Sequence, residues 1–339
     1  MLGIKISTDR LIHGLSIAQQ QMLEIARAIN ENAKILIMDE PTASLTNHEV
    51  DELFAQIKAL KEKKVAIIYI SHRMEETFRV CDTVTVLRDG QFIGTKETAK
   101  TNETELISMM VGRQFESMYG NTVVAGKETV MEVCGLTSEL VKDVSFELKR
   151  GEILGFSGLV GAGRTEMVRA LFGIDKILSG TVTIEGKQVK IKAPWDAIRA
   201  GIALVPEDRK GQGLFLNHSI STNLTFQVLN QFIRHLRING KKERAVIQEY
   251  KDKLSIRMAS VNQKAGELSG GNQQKIVISK WLAAHPKVLI LDEPTRGIDV
   301  GAKAEIYDLM RNLTKEGVSI IMISSELPEI LNNSSRIAV

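Results

Sequence analysis

Two stretches of the chain alternate apolar strands with amphipathic helices in the same order. The apolar runs at 35–38 and 288–291 are typical of strands that are buried on both faces of a sheet. A helix is predicted after each run, because apolar residues recur there at helical spacing. Its apolar face carries Val50, Leu53, Phe54, Ile57 and Leu60 in the first stretch and Ile306, Leu309, Met310 and Leu313 in the second. Another apolar run follows each helix, so the pattern predicts a parallel α/β sheet.

The two stretches are copies of one unit. KILIMDEPT at Lys34 returns as KVLILDEPT at Lys287, and IIYIS at Ile67 returns as IIMIS at Ile320. LSIAQQQ returns as LSGGNQQ, and all three pairs lie 253 residues apart. We therefore predict a C-terminal part of a first unit over 1–112, a linker over 113–128 and a second unit over 129–339. On this register the first unit lacks roughly its first 120 residues, the second lacks its C-terminal end, and 208–266 is a helical insertion.

Composition narrows the class of protein. Of the 339 residues, 43% are hydrophobic and 25% are charged, and the formal net charge is only +3, which argues against a nucleic-acid surface built on bulk positive charge. The two cysteines form no metal or disulfide pattern. No apolar run approaches the length of a membrane span, and the first residues do not resemble a signal peptide. We expect a cytoplasmic protein whose membrane role, if any, requires a partner.

The run GFSGLVGAGRTEM, from Gly155 to Met167, has the context of a phosphate-binding loop between a strand and a helix. Gly158, Gly161 and Gly163 would let backbone N–H groups close around phosphate oxygens, and the helix N-terminus adds its positive dipole. Thr165 would offer a hydroxyl to Mg²⁺. The lysine of the usual pattern is replaced by Arg164. The alternative interpretation is a tight turn between a strand and a helix.

Acidic pairs follow both buried runs. Asp292 would hold the water shell of a magnesium ion and Glu293 would polarise an attacking water, and Asp39 and Glu40 form the same pair in the first unit. The alternative role for such acids is to cap the helix that follows. Ahead of another helix, LSGGNQQK places a serine and two glycines where they favour an anion site, although an ordinary helix cap explains them as well.

Taken together, these residues resemble the ATP-binding-cassette ATPases, and most closely the subunits that power monosaccharide importers for ribose, galactose and xylose. The resemblance rests on GLVGAGRTE, VPEDRKGQG, LSGGNQQK, DEPTRGIDVGAK, SSELPE, ISHRMEE and TVLRDGQ. It implies a P-loop NTPase fold of class α/β, with a parallel sheet and a helical subdomain, in two tandem copies of which the first lacks its N-terminal half. It also implies ATP and Mg²⁺ as cofactors, transmembrane permease subunits as partners, indirect contact with an extracytoplasmic sugar-binding protein, and a peripheral location at the cytoplasmic face of the membrane.

In this family two units meet head to tail, and each ATP lies between the phosphate loop of one and the signature of the other. The resemblance therefore implies one site in which Glu40 activates water, His72 bonds the γ-phosphate, Asp39 serves the metal and Ser269, Gly270 and Gly271 neutralise phosphate charge. The chain alone, without the first unit's phosphate loop, is expected to turn over little ATP.

The other implied site departs from the family pattern at four places. They are Arg164 for lysine, Ile17 and Ala18 for the signature glycines, Ser325 at the histidine position, and Glu207 where the family has glutamine. We expect this site to hold nucleotide and to turn it over poorly. Two rival functions stay open at this point: a tandem ATPase outside transport, and a non-catalytic nucleotide-binding regulatory module.

Overall fold

The computed structural model describes residues 11–15, 17–30, 33–42, 45, 47–71, 73–88, 90–112, 125–159, 161–234 and 237–339. The chain divides into two units, Met1–Arg113 and Gln114–Val339. Most of the predicted linker, residues 113–124, lies outside the described residues, as does His72.

The first unit combines a parallel strand pair, an antiparallel hairpin and four α-helices among its described residues. Its elements are α1 Ile17–Asn30, β1 Ile35–Asp39, α2 Asn47–Glu62, β2 Ala66–Ile70, α3 Met74–Val80, β3 Thr83–Arg88, β4 Gln91–Glu97 and α4 Glu103–Val111. Strand β1 pairs with β2 in parallel, and β3 pairs with β4 in antiparallel fashion.

The core of this unit lies between α2 and one face of the β1–β2 pair. All five residues predicted for the apolar face of α2 are buried there, together with Leu36 and Met38, so that helix prediction is confirmed. The prediction that the first apolar run is buried on both faces is wrong. Ile35 and Ile37 are 61% and 64% exposed, because the described core of the unit packs against only one side of the pair.

The second unit contains a five-stranded parallel sheet, a four-stranded antiparallel sheet and a helical region. Its elements are β5 Thr129–Thr137, β6 Val144–Lys149, β7 Ile153–Phe156, α5 Arg164–Leu171, β8 Ser179–Ile184, β9 Lys187–Val189, α6 Pro194–Ala200, β10 Ile202–Val205, α7 Ile220–Thr225, β11 Ile233–Arg234, β12 Arg237–Ile238, α8 Gly240–Lys253, α9 Gly270–Leu282, β13 Val288–Asp292, α10 Val300–Lys315, β14 Ser319–Ile323, α11 Leu327–Asn333 and β15 Arg336–Ala338.

The parallel sheet has the strand order β10-β13-β14-β7-β15. Every residue of β13 and β14 is buried, as the uninterrupted apolar runs predict for strands covered on both faces. The four apolar residues predicted for α10 are buried as well. Strand β13 lies between β10 and β14, so it is an inner strand of the sheet. The acidic pair Asp292 and Glu293 at its carboxyl end is therefore flanked by a strand on each side.

The remaining elements flank this sheet. Strands β5, β6, β8 and β9 form the antiparallel sheet in the order β6-β5-β8-β9, which the sequence patterns did not predict. The region 208–266 is helical as expected, but it also holds the short antiparallel pair β11–β12. None of the helices in the described part of the chain combines the length and apolar character needed to cross a membrane.

Candidate nucleotide-binding site

Four loops of the second unit begin at the same edge of the parallel sheet. Strands β10, β13, β14 and β7 are neighbours in parallel register, so their carboxyl ends lie side by side. Asp292 is the last residue of β13, and the segments that follow β10, β14 and β7 carry Glu207, Ser325 and Gly158, respectively. Ligands of open α/β sheets bind at such an edge, so the fold brings together the residues that the sequence assigns to phosphate and metal.

The glycine loop connects β7 to α5. Gly161 and Gly163 adopt left-handed backbone angles, with φ of 83° and 88°, which favour glycine. A Cβ atom on Gly158 would lie 3.2 Å from the side chain of Ala162, so the loop is also tight at its start. Helix α5 begins at Arg164, so the N–H groups of its first turn have no partner within the helix and can bind an anion. The local geometry therefore suits a phosphate group.

Arg164 bonds to the protein's own backbone. Its Nη1 donates a hydrogen bond to the carbonyl oxygen of Ser324, 2.9 Å away, just beyond the end of β14. A planar guanidinium can bond this carbonyl oxygen and still offer other N–H groups to an anion. A lysine ammonium, in contrast, would act on the anion as a compact point charge. The residue that replaces lysine thus links the phosphate loop to the neighbouring strand end.

Within the described part of the chain, Asp292 has the burial and the unpaired carboxylate oxygen that suit a cation ligand. The residue is 2% exposed, and its Oδ1 atom has no hydrogen-bond partner among the described residues. Burial raises the pKa of Asp292, while a hydrogen bond with Thr165 and the charge of Arg164 act in the opposite direction. A buried oxygen without a partner costs free energy unless a ligand satisfies it, so Asp292 and Thr165 fit a divalent cation.

Glu293 adopts a strained backbone conformation next to this carboxylate. Its φ is 49°, a value that non-glycine residues rarely adopt, and its N–H is held by the carbonyl oxygen of Ile323 at 3.0 Å. Ser325 donates a hydrogen bond to Glu293 Oε2 at 3.2 Å. Burial raises the pKa of Glu293, against the effect of its hydrogen bonds with Ser325.

The first unit repeats the backbone geometry of this acidic pair. Glu40 has a φ of 44°, and its N–H donates to the carbonyl oxygen of Ile70 at 2.9 Å, as Glu293 does to Ile323. Asp39 and Glu40 are both exposed among the described residues, unlike Asp292. His72 lies outside the described residues, so its predicted role stays a prediction.

Contacts that sequence reasoning did not predict join the loop of Glu207 to the loop that follows β13. The Glu207 carboxylate forms an ion pair with Arg296. Arg209 in turn donates to the carbonyl oxygens of Arg296 and Gly297 at 2.6 and 2.9 Å. The negative charge of Glu207, which stands where the family has glutamine, is therefore paired with a guanidinium. The partners of Arg209 lie 87 and 88 residues away along the chain, and no spacing pattern marks them.

The signature segment opens α9. Ser269 occupies the position before the first helical residue, and its hydroxyl accepts a hydrogen bond from the Asn272 side chain at 3.0 Å. A Cβ atom on Gly270 would lie 2.9 Å from Arg209 Nη2, and one on Gly271 would lie 2.5 Å from the Cβ of Ala302. Close packing against Ala302 thus requires Gly271, whereas the arginine end that faces Gly270 can shift.

Known proteins with similar sequences include an ATP-binding protein family and several of its members. The family model described as ABC transporter matches residues 1–43 and 141–296. The ribose import ATP-binding protein RbsA of Lactococcus lactis subsp. lactis is 52% identical over 338 residues, spanning 100% of this chain and 69% of the relative. RbsA of Lacticaseibacillus paracasei is 50% identical over 340 residues, spanning 100% of this chain and 68% of the relative.

Solved structures show a similar fold. An ATP-binding cassette of an ABC transporter in its ADP conformation has a TM-score of 0.54 at 21% identity, covering 62% of this chain and 87% of its own. A dimeric bacterial ABC transporter cassette has a TM-score of 0.53 at 21% identity, covering 61% of this chain and 92% of its own. At this level of identity the likeness concerns the fold alone.

Proposed function

The chain belongs to the ABC transporter family, and we propose that it is the ATP-hydrolysing subunit that powers import of a monosaccharide through a membrane permease. The names of its relatives favour ribose as that sugar. The observation that carries the proposal is the meeting of the phosphate loop, Arg164 and the unsatisfied Asp292 oxygen at one edge of the sheet.

In this proposal the chain's own residues bind and orient the nucleotide. The glycine loop and the N–H groups of α5 hold phosphate oxygens, and Arg164 adds positive charge. Asp292 and Thr165 would hold a magnesium ion, and that ion would neutralise phosphate charge. The negative charge of Glu207 is paired with Arg296, so Glu207 holds the two loops together and adds no unpaired charge to the site.

We further propose that the two units are tandem modules of unequal competence. Glu40 deprotonates or orients the attacking water, His72 bonds the terminal phosphate and Asp39 serves the metal, while the signature at Ser269–Gly271 acts on nucleotide held by another module. The Arg164 site holds nucleotide and turns it over slowly. The support is the repeat of strained glutamates at Glu40 and Glu293 and the replacement of the histidine by serine in the second unit.

The partners follow from the same family membership. We propose that the chain binds transmembrane permease subunits at the cytoplasmic face of the membrane. On the opposite side of the membrane, an extracytoplasmic sugar-binding protein delivers the sugar to the permease. No observation in the described part of the chain favours a tandem ATPase outside transport or a regulatory module without catalysis.

Nucleotide binding by the second unit is the direct test. Fluorescent ATP should bind the 339-residue chain in the presence of Mg²⁺, and Arg164→Ala should weaken that binding by about tenfold or more. Arg244→Ala, on the exposed surface of α8, serves as the matched control and should leave binding unchanged. Wild-type chain that binds no nucleotide, or an Arg164→Ala variant that binds as well as wild type, would remove the basis of the proposal.

A second arm separates transport from other roles of a tandem ATPase. The tagged chain should co-purify with a membrane permease from cells grown on ribose. Recovery with ribosomes or DNA instead would replace the transport function while leaving the nucleotide site intact.

A further inference from the structure

Two buried glutamates occupy the same place in the two units. Glu76 in α3 and Glu329 in α11 lie 253 residues apart, the spacing that relates the rest of the repeat. They are 6% and 2% exposed, and each is the third residue of its helix. A buried carboxylate is costly to desolvate unless hydrogen bonds satisfy it, so its presence in both units indicates a specific role.

Glu76 accepts hydrogen bonds from four side chains. The hydroxyls of Thr42, Tyr69 and Ser71 donate to its Oε2 at 2.8, 2.8 and 3.0 Å, and Arg73 donates to Oε1 at 3.2 Å. Burial alone would raise the pKa of Glu76, but these four bonds outweigh it and the pKa is lowered. The carboxylate is therefore charged and fully satisfied.

Glu329 has the same kinds of donor. Thr295 and Tyr307 donate to its Oε1 at 2.5 Å each, Ser324 donates to Oε2 at 2.8 Å, and Lys303 lies 3.1 Å from Oε1. One threonine, one tyrosine, one serine and one cation thus surround the carboxylate in both units.

Only two of the four donors come from equivalent positions. The threonines follow the D-E-P motif, and the serines follow β2 and β14. The tyrosine and the cation differ in origin, as the second unit takes both from α10 whereas the first takes them from β2 and the residue before α3. The position equivalent to Tyr69 is Met322, and the position equivalent to Tyr307 is Phe54.

The exchange of tyrosines is possible because the two positions are neighbours. The rings of Phe54 and Tyr69 pack edge to face with centroids 6.4 Å apart, so a hydroxyl on either can be directed to one carboxylate. The same donor set, reached from different elements, indicates that the satisfied carboxylate itself is what each unit requires.

The glutamate joins the two loops that carry the chemistry. Thr295 lies two residues beyond Glu293, and Ser324 supplies the carbonyl oxygen that accepts the hydrogen bond from Arg164. The next residue, Ser325, donates to Glu293. One carboxylate therefore fixes the segment that contacts both the phosphate-loop cation and the acid at the end of β13.

We propose that Glu329 is a positioning residue that holds the segment Ser324–Glu326, here called the switch segment, in register with Arg164 and Glu293, so that this segment responds to the terminal phosphate of ATP. Glu76 has the same role for Ser71 and Arg73 in the first unit. The inference rests on the proposed nucleotide-binding function. It assigns discrimination of the γ-phosphate to the segment positioned by Glu329. The glycine loop, the N–H groups of α5 and Arg164 hold the phosphates that ADP also carries.

The test compares affinities for ADP and for a non-hydrolysable ATP analogue in the 339-residue chain. Glu329→Gln keeps the shape of the side chain but leaves one acceptor oxygen for four donors. It should weaken binding of the ATP analogue by about tenfold and change ADP binding by less than about twofold. Glu267→Gln, at an exposed position, is the control and should change neither.

A tyrosine exchange provides a second, independent variant. Tyr307→Phe removes one donor and should weaken binding of the ATP analogue by about threefold. Adding Met322→Tyr reproduces the arrangement of the first unit and should restore wild-type affinity. Thermal melting of each variant identifies loss of fold, and if the double variant does not fold, Glu329→Gln and Tyr307→Phe decide the matter.

The outcomes separate this inference from the function on which it rests. Selective loss of affinity for the ATP analogue supports a positioning role. Equal loss for both nucleotides, or no loss, overturns that role and leaves nucleotide binding established by the wild-type chain. A wild-type chain that binds neither nucleotide overturns the proposed function together with this inference.

Discussion

Ser325 donates a hydrogen bond to Glu293, with 3.2 Å between its Oγ and Glu293 Oε2, at the position that is equivalent to His72 in the first unit. A serine hydroxyl can orient a carboxylate but cannot become positively charged, whereas an imidazole can do both near neutral pH. The bond therefore holds the Glu293 carboxylate of the second site in place, but it supplies no imidazole that could become positively charged there. This is the structural basis for the proposed inequality of the two units.

Replacing Asp292 should stabilise the chain and impair its site. Because burial raises the pKa of Asp292 in the folded state, the ionised carboxylate destabilises the fold at neutral pH. This penalty is relieved as the pH falls from the raised pKa toward the ordinary pKa of an aspartate. Asp292→Asn should raise the melting temperature of the nucleotide-free chain near neutral pH. The same change should remove the Mg²⁺ dependence of nucleotide binding.

Asp252→Asn, on the exposed side of α8, is the control for this experiment and should change neither quantity. A lower melting temperature for Asp292→Asn, with Mg²⁺-dependent binding retained, would exclude Asp292 as a cation ligand.

Gly271 should be required for the stability of the fold even without bound nucleotide. A Cβ at this position would lie 2.5 Å from the Cβ of Ala302 on α10. Gly271→Ala should lower the free energy of unfolding by about 1–3 kcal/mol, measured by urea denaturation without nucleotide. Ala302→Gly in the same chain removes the clash and should recover part of that loss. If Gly271→Ala unfolds at the wild-type urea concentration, the glycine is not required for packing.

Because of Lys280, the free energy of unfolding should increase with pH in the alkaline range. Burial lowers the pKa of Lys280 from 10.5 to about 8, and its Nζ donates to the carbonyl oxygen of Gly213 at 2.6 Å. Since the unfolded chain binds its proton more tightly, stability should rise as the pH goes from about 8 toward 10.5, by at most about 3 kcal/mol. Urea denaturation at several pH values measures this slope.

Lys280→Met should flatten the pH dependence, while Lys315→Met at the exposed end of α10 should keep it. A slope in Lys280→Met equal to that of wild type would assign the effect to another group.

The sequence predicts the parts of the fold that depend on local periodicity. The buried faces of α2 and α10 and the fully buried β13 follow directly from spacing and run length. The same reasoning fails for β1, whose residues match those of β13 in character. Burial of the second face of a strand depends on which other elements of the protein pack against it. The sequence of the strand itself does not indicate those elements.

Tertiary pairings in the site are harder to predict. The Glu207–Arg296 ion pair joins distant loops that share no pattern. Glu76 and Glu329 did leave a signal, because they recur at the repeat spacing together with the threonine and serine that bond them. Their tyrosine partners left none, since the two units supply that hydroxyl from different elements.

The most direct measurement of the inequality between the units is ATP turnover after removal of one carboxylate at a time. In a form of the protein that carries a phosphate loop in both modules, Glu40→Gln should lower kcat by about 10²-fold or more, as expected for loss of a general base. Glu293→Gln should lower it by less than about threefold, with nucleotide affinity retained in both. If Glu293→Gln abolishes turnover and Glu40→Gln leaves it intact, the assignment of hydrolysis to the first unit is contradicted.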